Sequence, residues 1–472
     1  MKKMIIVIPI EVKDRELYYK VFLAYQILKY VKKAKVIICS NRFMFERIGR
    51  YENCIFFEKN TYEKRLNNEI KTNNKILMLD EEGPISLLEK HYIDYRYKKK
   101  TFEHYDKLLF WGSNDLKKIT NFSKYKTKTL ISGHPKFDLL KKPYIKIYDK
   151  KVSEIKKKYN SYILFASSFE DSRTFSVRQQ IIGIKDSCKG KSKIYISNRI
   201  KELKKLIYNH QKNYDLSIKM LKEVAKDNPK INIIFRRHPY EDEEIVKKRF
   251  EGSPKNLFLD YSGSITPWII GSEVYIHSGC TTYFEASILK KNIISFIPHI
   301  YGSKHNFFKK SKTYYSNIDK IKNYIKKSLE KNKSHKFKIK TDDISKTILN
   351  YSRFDSYKMI INQIQKIQYN LNSSYYFTEN EISFIKTLFL IIKKKIFNFL
   401  SFIKNNFIIN TFLINLLKEK YIISMHQKEK KIDHLTKKDI NLIISKLKIV
   451  DNNNNKKITI NKICKNVFIC NN

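Results

Sequence analysis

Residues 4–39 read MIIVIPI, then EVKDRELYYKVFLAYQILKYVKKA, then KVIIC. The first and last runs are short and apolar. The stretch between them places Leu17, Val21, Ala24, Ile27 and Leu28 on one helical face. Strand, helix, strand in this rhythm predicts a parallel sheet covered by helices. The same rhythm continues outward, with apolar runs at 54–57, 76–79, 107–111 and 129–132. A lysine-rich, weakly patterned stretch at 141–160 reads as a linker. Strand signals then restart at 162–166, 231–235, 257–260, 274–276 and 293–297, with a long amphipathic helix within 198–227. The expectation is an α/β protein of two Rossmann-like domains facing a cleft, followed by a mostly helical basic C-terminal tail.

Length and composition agree with this plan and narrow the partners. A chain of 472 residues is too long for one compact core. Lys and Arg total 95 against 46 Asp and Glu, a net +49, yet 42% hydrophobic residues exclude a wholly disordered basic protein. The excess is diffuse: residues 381–472 hold 18 Lys and 6 acids, net +12, which leaves +37 for the first 380. Only 13 of the basic residues are Arg, and no RNA-recognition or helix-turn-helix signature appears, so nucleic acid is not the expected partner. The six Cys show no CxxC pair and no His at zinc spacing, which predicts no metal site and thiols in a reducing cytoplasm. The basic-then-apolar N-terminus is too short for a signal peptide and reads as the first strand.

All 11 Gly and all 9 Pro lie at or before Gly302, so turn-dependent site architecture belongs to the first 302 residues. The tail, 351–472, is lysine-rich. Its most apolar part, 384–417, is broken by Lys393, Lys394, Lys395 and Lys404 before any spanning length is complete. Residues 384–448 read either as a basic interfacial helix on an anionic membrane surface or as a buried or partner helix. Residues 451–457, DNNNNKK, read as a disordered connector.

Three segments that follow predicted strands carry chemistry. In LDEEG, Asp80, Glu81 and Glu82 repel one another, which raises a carboxyl pKa toward a value suited to accepting a proton. The same triplet also reads as a solvated turn capping the next helix. In INIIFRRHP, Arg236 and Arg237 form the only adjacent Arg pair, and Pro239 biases His238 toward an extended backbone. Two guanidiniums and an imidazole suit a phosphate or a carboxylate. In VYIHSGCTTYFE, Ser278, Gly279, Thr281 and Thr282 precede a helix in an anion-binding pattern, and Glu285 lies where a carboxylate can bridge ribose hydroxyls. An ordinary N-cap is the other reading. GxxxxGK[ST] and GxGxxG are both missing, so neither a P-loop nor a dinucleotide fingerprint is supported.

Taken together, Glu81-Glu82-Gly83, His238-Pro239 and Ser278 to Thr282 resemble the motif set of bacterial sialyltransferases and related CMP-sugar glycosyltransferases. A wider set resembles the bacterial surface carbohydrate biosynthesis proteins, within the GT-B fold. It comprises Pro9 to Lys13 with Arg15 and Glu16, LDEEG, Phe110-Trp111-Gly112, GHPKFD at 133–138, Pro267-Trp268, and His277 to Thr282. GHPKFD is similar to the GN-x-K-F-D segment of Kdo transferases, with His134 in place of Asn. The resemblance spans roughly residues 4–305.

It implies an acceptor domain at 1–145, a nucleotide-sugar-binding domain at 155–350 and a tail at 351–472. It also implies a metal-independent glycosyltransferase without a cofactor. Such an enzyme would move a CMP-activated Kdo- or sialic-acid-type sugar to a glycan or lipid-linked glycan in capsule or lipopolysaccharide synthesis, in the cytoplasm or on the inner face of the membrane. Glu81 is then the base, with Asp80 and Glu82 as rivals, or one of them is a nucleophile if the anomeric configuration is retained. His238, Arg236 and Arg237 meet the leaving phosphate; His277, Ser278, Gly279, Thr281, Thr282 and Glu285 hold the nucleotide. Arg15, Glu16 and Lys136 meet a sugar or acceptor carboxylate. The alternatives are a teichoic-acid-type transferase using a CDP-polyol, a sugar-nucleotide epimerase, and a non-catalytic basic protein that binds nucleic acid or membrane.

Overall fold

The computed structural model describes residues 4–40, 51–59, 74–81, 83–90, 93, 96–97, 99–119, 126–169, 177–188, 190–238, 241–330, 341–351, 355–368, 374–375, 435–452, 458–464 and 467–471. The chain forms two compact units, neither of them continuous in sequence. One comprises Met1–Leu79, Phe102–Leu108 and Tyr357–Asn472; the other comprises Asp80–Thr101 and Leu109–Ser356. The sequential division expected at about residue 150 therefore differs from the observed one. Leu87, Trp111, Phe137 and Leu140 join the core of the second sheet, and the strands at the end of the tail join the first sheet.

The first unit is built on β1 (Met4–Ile10), β2 (Ala34–Ser40), a short β3 (Tyr51–Glu52), β4 (Ile55–Glu58), β5 (Lys75–Leu79) and the start of β6 (Lys107–Phe110). β2, β1, β4 and β5 lie side by side and parallel, with Ile8 opposite Ile38 and Phe56 opposite Ile76. Their runs are apolar throughout because both faces of a parallel sheet are covered. The helix Lys13–Tyr30 is buried on almost every side from Glu16 to Leu28, not on one face alone. The reason lies more than 400 residues away, where the helix Lys437–Val450 packs against it. Lys13 pairs with Asp439 at 3.0 Å, and Tyr25 donates to Asp451 at 3.1 Å.

The second unit contributes β7 (Thr129–Ile131) and a complete six-stranded sheet: β8 (Tyr162–Ala166), β9 (Asn232–Arg236), β10 (Leu257–Leu259), β11 (Val274–His277), β12 (Asn292–Phe296) and β13 (Tyr314–Tyr315). All its pairings are parallel, in the order β10-β9-β8-β11-β12-β13. Counted from β8 this is 3-2-1-4-5-6, the order of doubly wound nucleotide-binding sheets, and the connections reverse direction between β8 and β11. One face packs on Trp111, Phe137, Ile155 and Trp268, the other on Tyr214, Leu221 and Val224 of the 35-residue helix Lys193–Asp227.

Two expectations are corrected. The stretch read as a linker forms a short 3-10 turn, Tyr144–Tyr148, and a helix, Asp149–Tyr159. Tyr148, Ile155 and Tyr159 are spaced by seven and four, a stripe hidden among the lysines, and all three are buried. The tail is not helical to its end. In the first unit, β14 (Ser374–Tyr375) pairs with β3, and β15 (Thr459–Cys464) with β16 (Val467–Asn471) form a hairpin whose second strand runs antiparallel to β2. Of the anticipated connector, Asp451 and Asn452 form a turn, and 453–457 lie outside the described residues, as does 384–434 of the segment expected at a membrane. Among the described residues no helix is long and apolar enough to cross a membrane.

Candidate functional site

β5 delivers the acidic segment, and its members separate at once. Asp80 is 2% exposed; both its oxygens accept from Arg96 Nη1, at 2.9 and 2.8 Å, and Oδ2 also accepts from the Tyr97 hydroxyl at 2.8 Å. Its backbone carbonyl accepts from the Trp111 indole at 2.8 Å. Asp80 is thus a buried anchor, which corrects the expectation of a rival base. Glu82 lies outside the described residues. Glu81 remains, with Oε2 3.5 Å from His134 Nε2.

His134 is fully buried and caps the short helix Pro135–Asp138, its Nδ1 accepting from the Lys136 backbone at 3.2 Å. With Nδ1 an acceptor, the ring carries its proton on Nε2, the nitrogen that lies 3.5 Å from Glu81 Oε2. Trp111 fixes this ring by an edge contact, with centroids 4.8 Å apart, and also carries the Lys136 ammonium 4.6 Å above its own ring. Lys136 Nζ is 3.8 Å from Glu285 Oε1, and Glu285 Oε2 accepts from Thr266 at 2.8 Å. Glu285 therefore sits among side chains that sequence spacing does not bring together. Gly83 (φ +132°) closes the acidic segment against Thr281: a Cβ there would lie 3.1 Å from Thr281 Cγ2.

Asp115, which the sequence reading passed over, holds this corner together. It is fully buried and accepts from the backbone of Ser86 at 2.9 Å and of Trp111 at 3.1 Å. Burial pushes its carboxyl up to about 7, against the pull of those N–H donors. Its only sequence signal is its place four residues after Trp111, at the first turn of the helix Ser113–Lys118.

At the switch point of the second sheet, Ser168 after β8 donates to the carbonyl of Ser278 after β11. His277 does not face a ligand. Its Nδ1 accepts from the backbones of Gly279 and Cys280, both at 3.1 Å, and its Nε2 meets Ser295 at 2.8 Å, so the ring shapes the Ser278 to Thr282 loop from beneath. Burial lowers its pKa to about 3, and the ring is neutral. Gly279 takes φ +84° against His305, where a Cβ would come within 2.8 Å of Nε2. Ser278 is 1% exposed, and its hydroxyl has no hydrogen-bond partner among the described residues. Thr282 is tied to Tyr275 and Cys280.

The arginine pair is employed differently from the expectation. Arg236 is buried and donates to the carbonyls of Asp260, Ser262 and Gly263, with its guanidinium 4.9 Å over Trp268. Arg237 donates to the carbonyl of Glu241 at 3.0 Å and lies 4.0 Å over the Tyr261 ring. Both guanidiniums brace loops. His238 is half-buried, and its backbone N–H donates to the Glu241 carboxylate; Pro239 is outside the described residues. Glu241, also missed, is 3% exposed, and burial pushes it up to about 7 despite donors from Ser167 and His238. In the first unit, Glu16 is fully buried and caps its own helix, accepting from the backbone of Glu11 at 2.9 Å and from Lys20 at 2.7 Å. Arg15 is its half-exposed neighbour, 3.6 Å away. Neither Glu16 nor Arg236 presents a group for a ligand.

No family model matches the chain, and no curated protein does. Solved structures do. S. aureus MnaA in its UDP co-structure is 11% identical over 78% of this chain and 97% of that one, with a TM-score of 0.49. UDP-GlcNAc 2-epimerase from Neisseria meningitidis bound to UDP-GlcNAc is 13% identical over 77% and 100%, with a TM-score of 0.46. The wall teichoic acid polymerase TagF with CDPG is 11% identical over 77% and 88%, with a TM-score of 0.46.

Proposed function

We propose that the protein is a metal-independent glycosyltransferase of bacterial surface polysaccharide synthesis, moving a CMP-activated Kdo- or sialic-acid-type sugar. The observation that carries this reading is the second sheet. Its 3-2-1-4-5-6 order puts Ser168 and the Ser278 to Thr282 loop at the switch point, where open α/β sheets take nucleotides. The same unit holds Glu81, oriented by His134, beside Thr281 through Gly83.

In the proposed reaction the acceptor hydroxyl gives its proton to Glu81 as its oxygen bonds to the anomeric carbon. The bond from that carbon to the phosphate oxygen breaks, and its electron pair leaves with CMP. His134 Nε2–H steadies the carboxylate. The Ser278 hydroxyl and the His238 ring meet the departing phosphate, and Glu285 the ribose. His134 is a positioning group in this reading; the teichoic-acid-type transferase with a CDP-polyol donor is compatible with the same sheet, and CDP-glycerol separates the two.

A thermal-shift screen across CMP, CDP, CDP-glycerol, UDP and GDP tests the donor class. CMP at a hundred times its Kd adds about 2.7 kcal/mol of stability. Glu81→Gln is expected to keep that shift and to lose turnover by about 10²- to 10⁴-fold. A shift with UDP alone, or a Glu81→Gln variant of full activity, overturns the reading.

A further inference from the structure

The helix Lys193–Asp227 changes character along its length. From Ile207 onward it is packed on the second sheet, where Asn213 exchanges hydrogen bonds with His299 at 2.9 and 2.8 Å. None of the preceding fourteen residues, 193–206, is fully buried; Ile196, Ile200, Leu203 and Leu206 are half-buried along one side. The exposed side of this stretch is not uniformly polar. Of the nine large hydrophobic residues exposed among those described, five fall between 177 and 208: Val177, Ile182, Ile194, Tyr195 and Tyr208. The same stretch is strongly basic, since residues 177–212 hold ten Lys or Arg against Asp186 and Glu202, a net +8. Glu202 is itself paired with Arg199.

The two features share one face. At 3.6 residues per turn, Ile194, Lys201, Lys205, Tyr208 and Lys212 fall within an arc of about 60° and run for about 27 Å. All five are exposed, Ile194 at 75% and Tyr208 at 57%. We infer that this stripe is a docking surface for an anionic lipid bilayer. Lysines at such a surface reach the headgroups while their stems lie on apolar neighbours, and tyrosine sits at headgroup depth. Nucleic acid offers nothing to Ile194, the more exposed of the stripe's two apolar residues. A second copy of the chain would set like charge against like. This inference does not depend on the proposed reaction, and the stripe is separate from the segment 384–448 considered above.

The test uses the full chain in co-sedimentation with vesicles of phosphatidylglycerol and phosphatidylcholine in equal parts, against phosphatidylcholine alone, at about 0.1 M salt. Binding to the anionic vesicles is expected. Replacing Lys201, Lys205 and Lys212 together by Glu is expected to cut it by about a hundredfold or more. Ile194→Ser with Tyr208→Ser is expected to cut it by about tenfold. The same charge reversal at the exposed Lys226, Lys230 and Lys255 controls for the diffuse +49 and is expected to change binding far less. Since every substituted side chain is exposed, unfolding midpoints should match the parent's. Equal losses in the control, unchanged binding in the stripe variants, or retention on DNA with none on vesicles would each overturn the assignment.

Discussion

The Asp80–Arg96 pair offers the sharpest check on how the acidic segment is organised. Both residues are buried, at 2% and 3% exposure, and the carboxylate takes two short contacts from one guanidinium nitrogen and one from Tyr97. Arg96→Met removes the guanidinium from a carboxylate that stays in the interior and keeps the tyrosine hydroxyl. Asp80→Asn removes the carboxylate charge that faces the buried guanidinium. Either single change is expected to cost about 3–5 kcal/mol, because the stranded charge keeps its desolvation penalty and loses its compensation. The double variant strands no charge and retains an acceptor for Tyr97, so its cost is expected to fall at least ~3 kcal/mol below the sum of the singles.

Urea unfolding followed by tryptophan fluorescence reads this directly. The chain has two tryptophans, Trp111 and Trp268; both are buried, both lie in the second unit, and Trp111 donates to the Asp80 carbonyl. Additive costs would show that the two side chains do not share a buried contact. Loss of turnover in Asp80→Asn with an unmoved unfolding midpoint would make Asp80 a chemical group and remove Glu81 from the proposed role.

Two further outcomes follow from the same unit. Glu241 is raised from 4.5 to about 7, so the folded state binds its proton more tightly than the unfolded chain does. Stability from this group is therefore lost as pH rises from about 4.5 to about 7, at about 1.4 kcal/mol per unit, or about 3 kcal/mol in all. Glu241→Gln is expected to gain on the parent by about that amount between pH 4.5 and pH 7.5 in parallel melts, and a constant difference would refute the assignment. Gly83→Ala places a Cβ at φ +132° and 3.1 Å from Thr281 Cγ2, and is expected to cost about 1–3 kcal/mol and to depress turnover. An unchanged midpoint and rate would mean that the acidic segment does not close on Thr281 as described.

Much of the fold is legible in the chain. Eleven strands are placed within a residue or two of their observed ends because a strand buried on both faces must be a continuous apolar run, and such runs stand out against a lysine background. The exceptions have local causes. Tyr148, Ile155 and Tyr159 form a helical stripe too sparse to notice between lysines. β13 is two residues long, below any periodic signal. The site is legible only as residue types. Sequence picks out Asp80 and Arg236 because they are charged and follow predicted strands, and Glu16 through the family resemblance. Nothing local reveals that Asp80 meets Arg96 sixteen positions on, that Arg236 is spent on three carbonyls, or that Glu16 turns back on its own helix. Asp115 and Glu241 carry no motif at all; their importance comes from burial, which is a property of the packed chain.

The sequence by itself determined the α/β class, the strand positions, the diffuse character of the charge and the segments that hold polar side chains at strand ends. Each of these follows from periodicity or composition, which act over a few residues. Tertiary structure decided the strand order of the second sheet, the antiparallel hairpin that the last residues add beside β2, and the division of labour among the charged groups. Those depend on which distant surfaces meet. A buried carboxylate becomes an anchor when a guanidinium arrives to share its burial, and only the folded chain brings Arg96 to Asp80 while placing Glu81 beside His134.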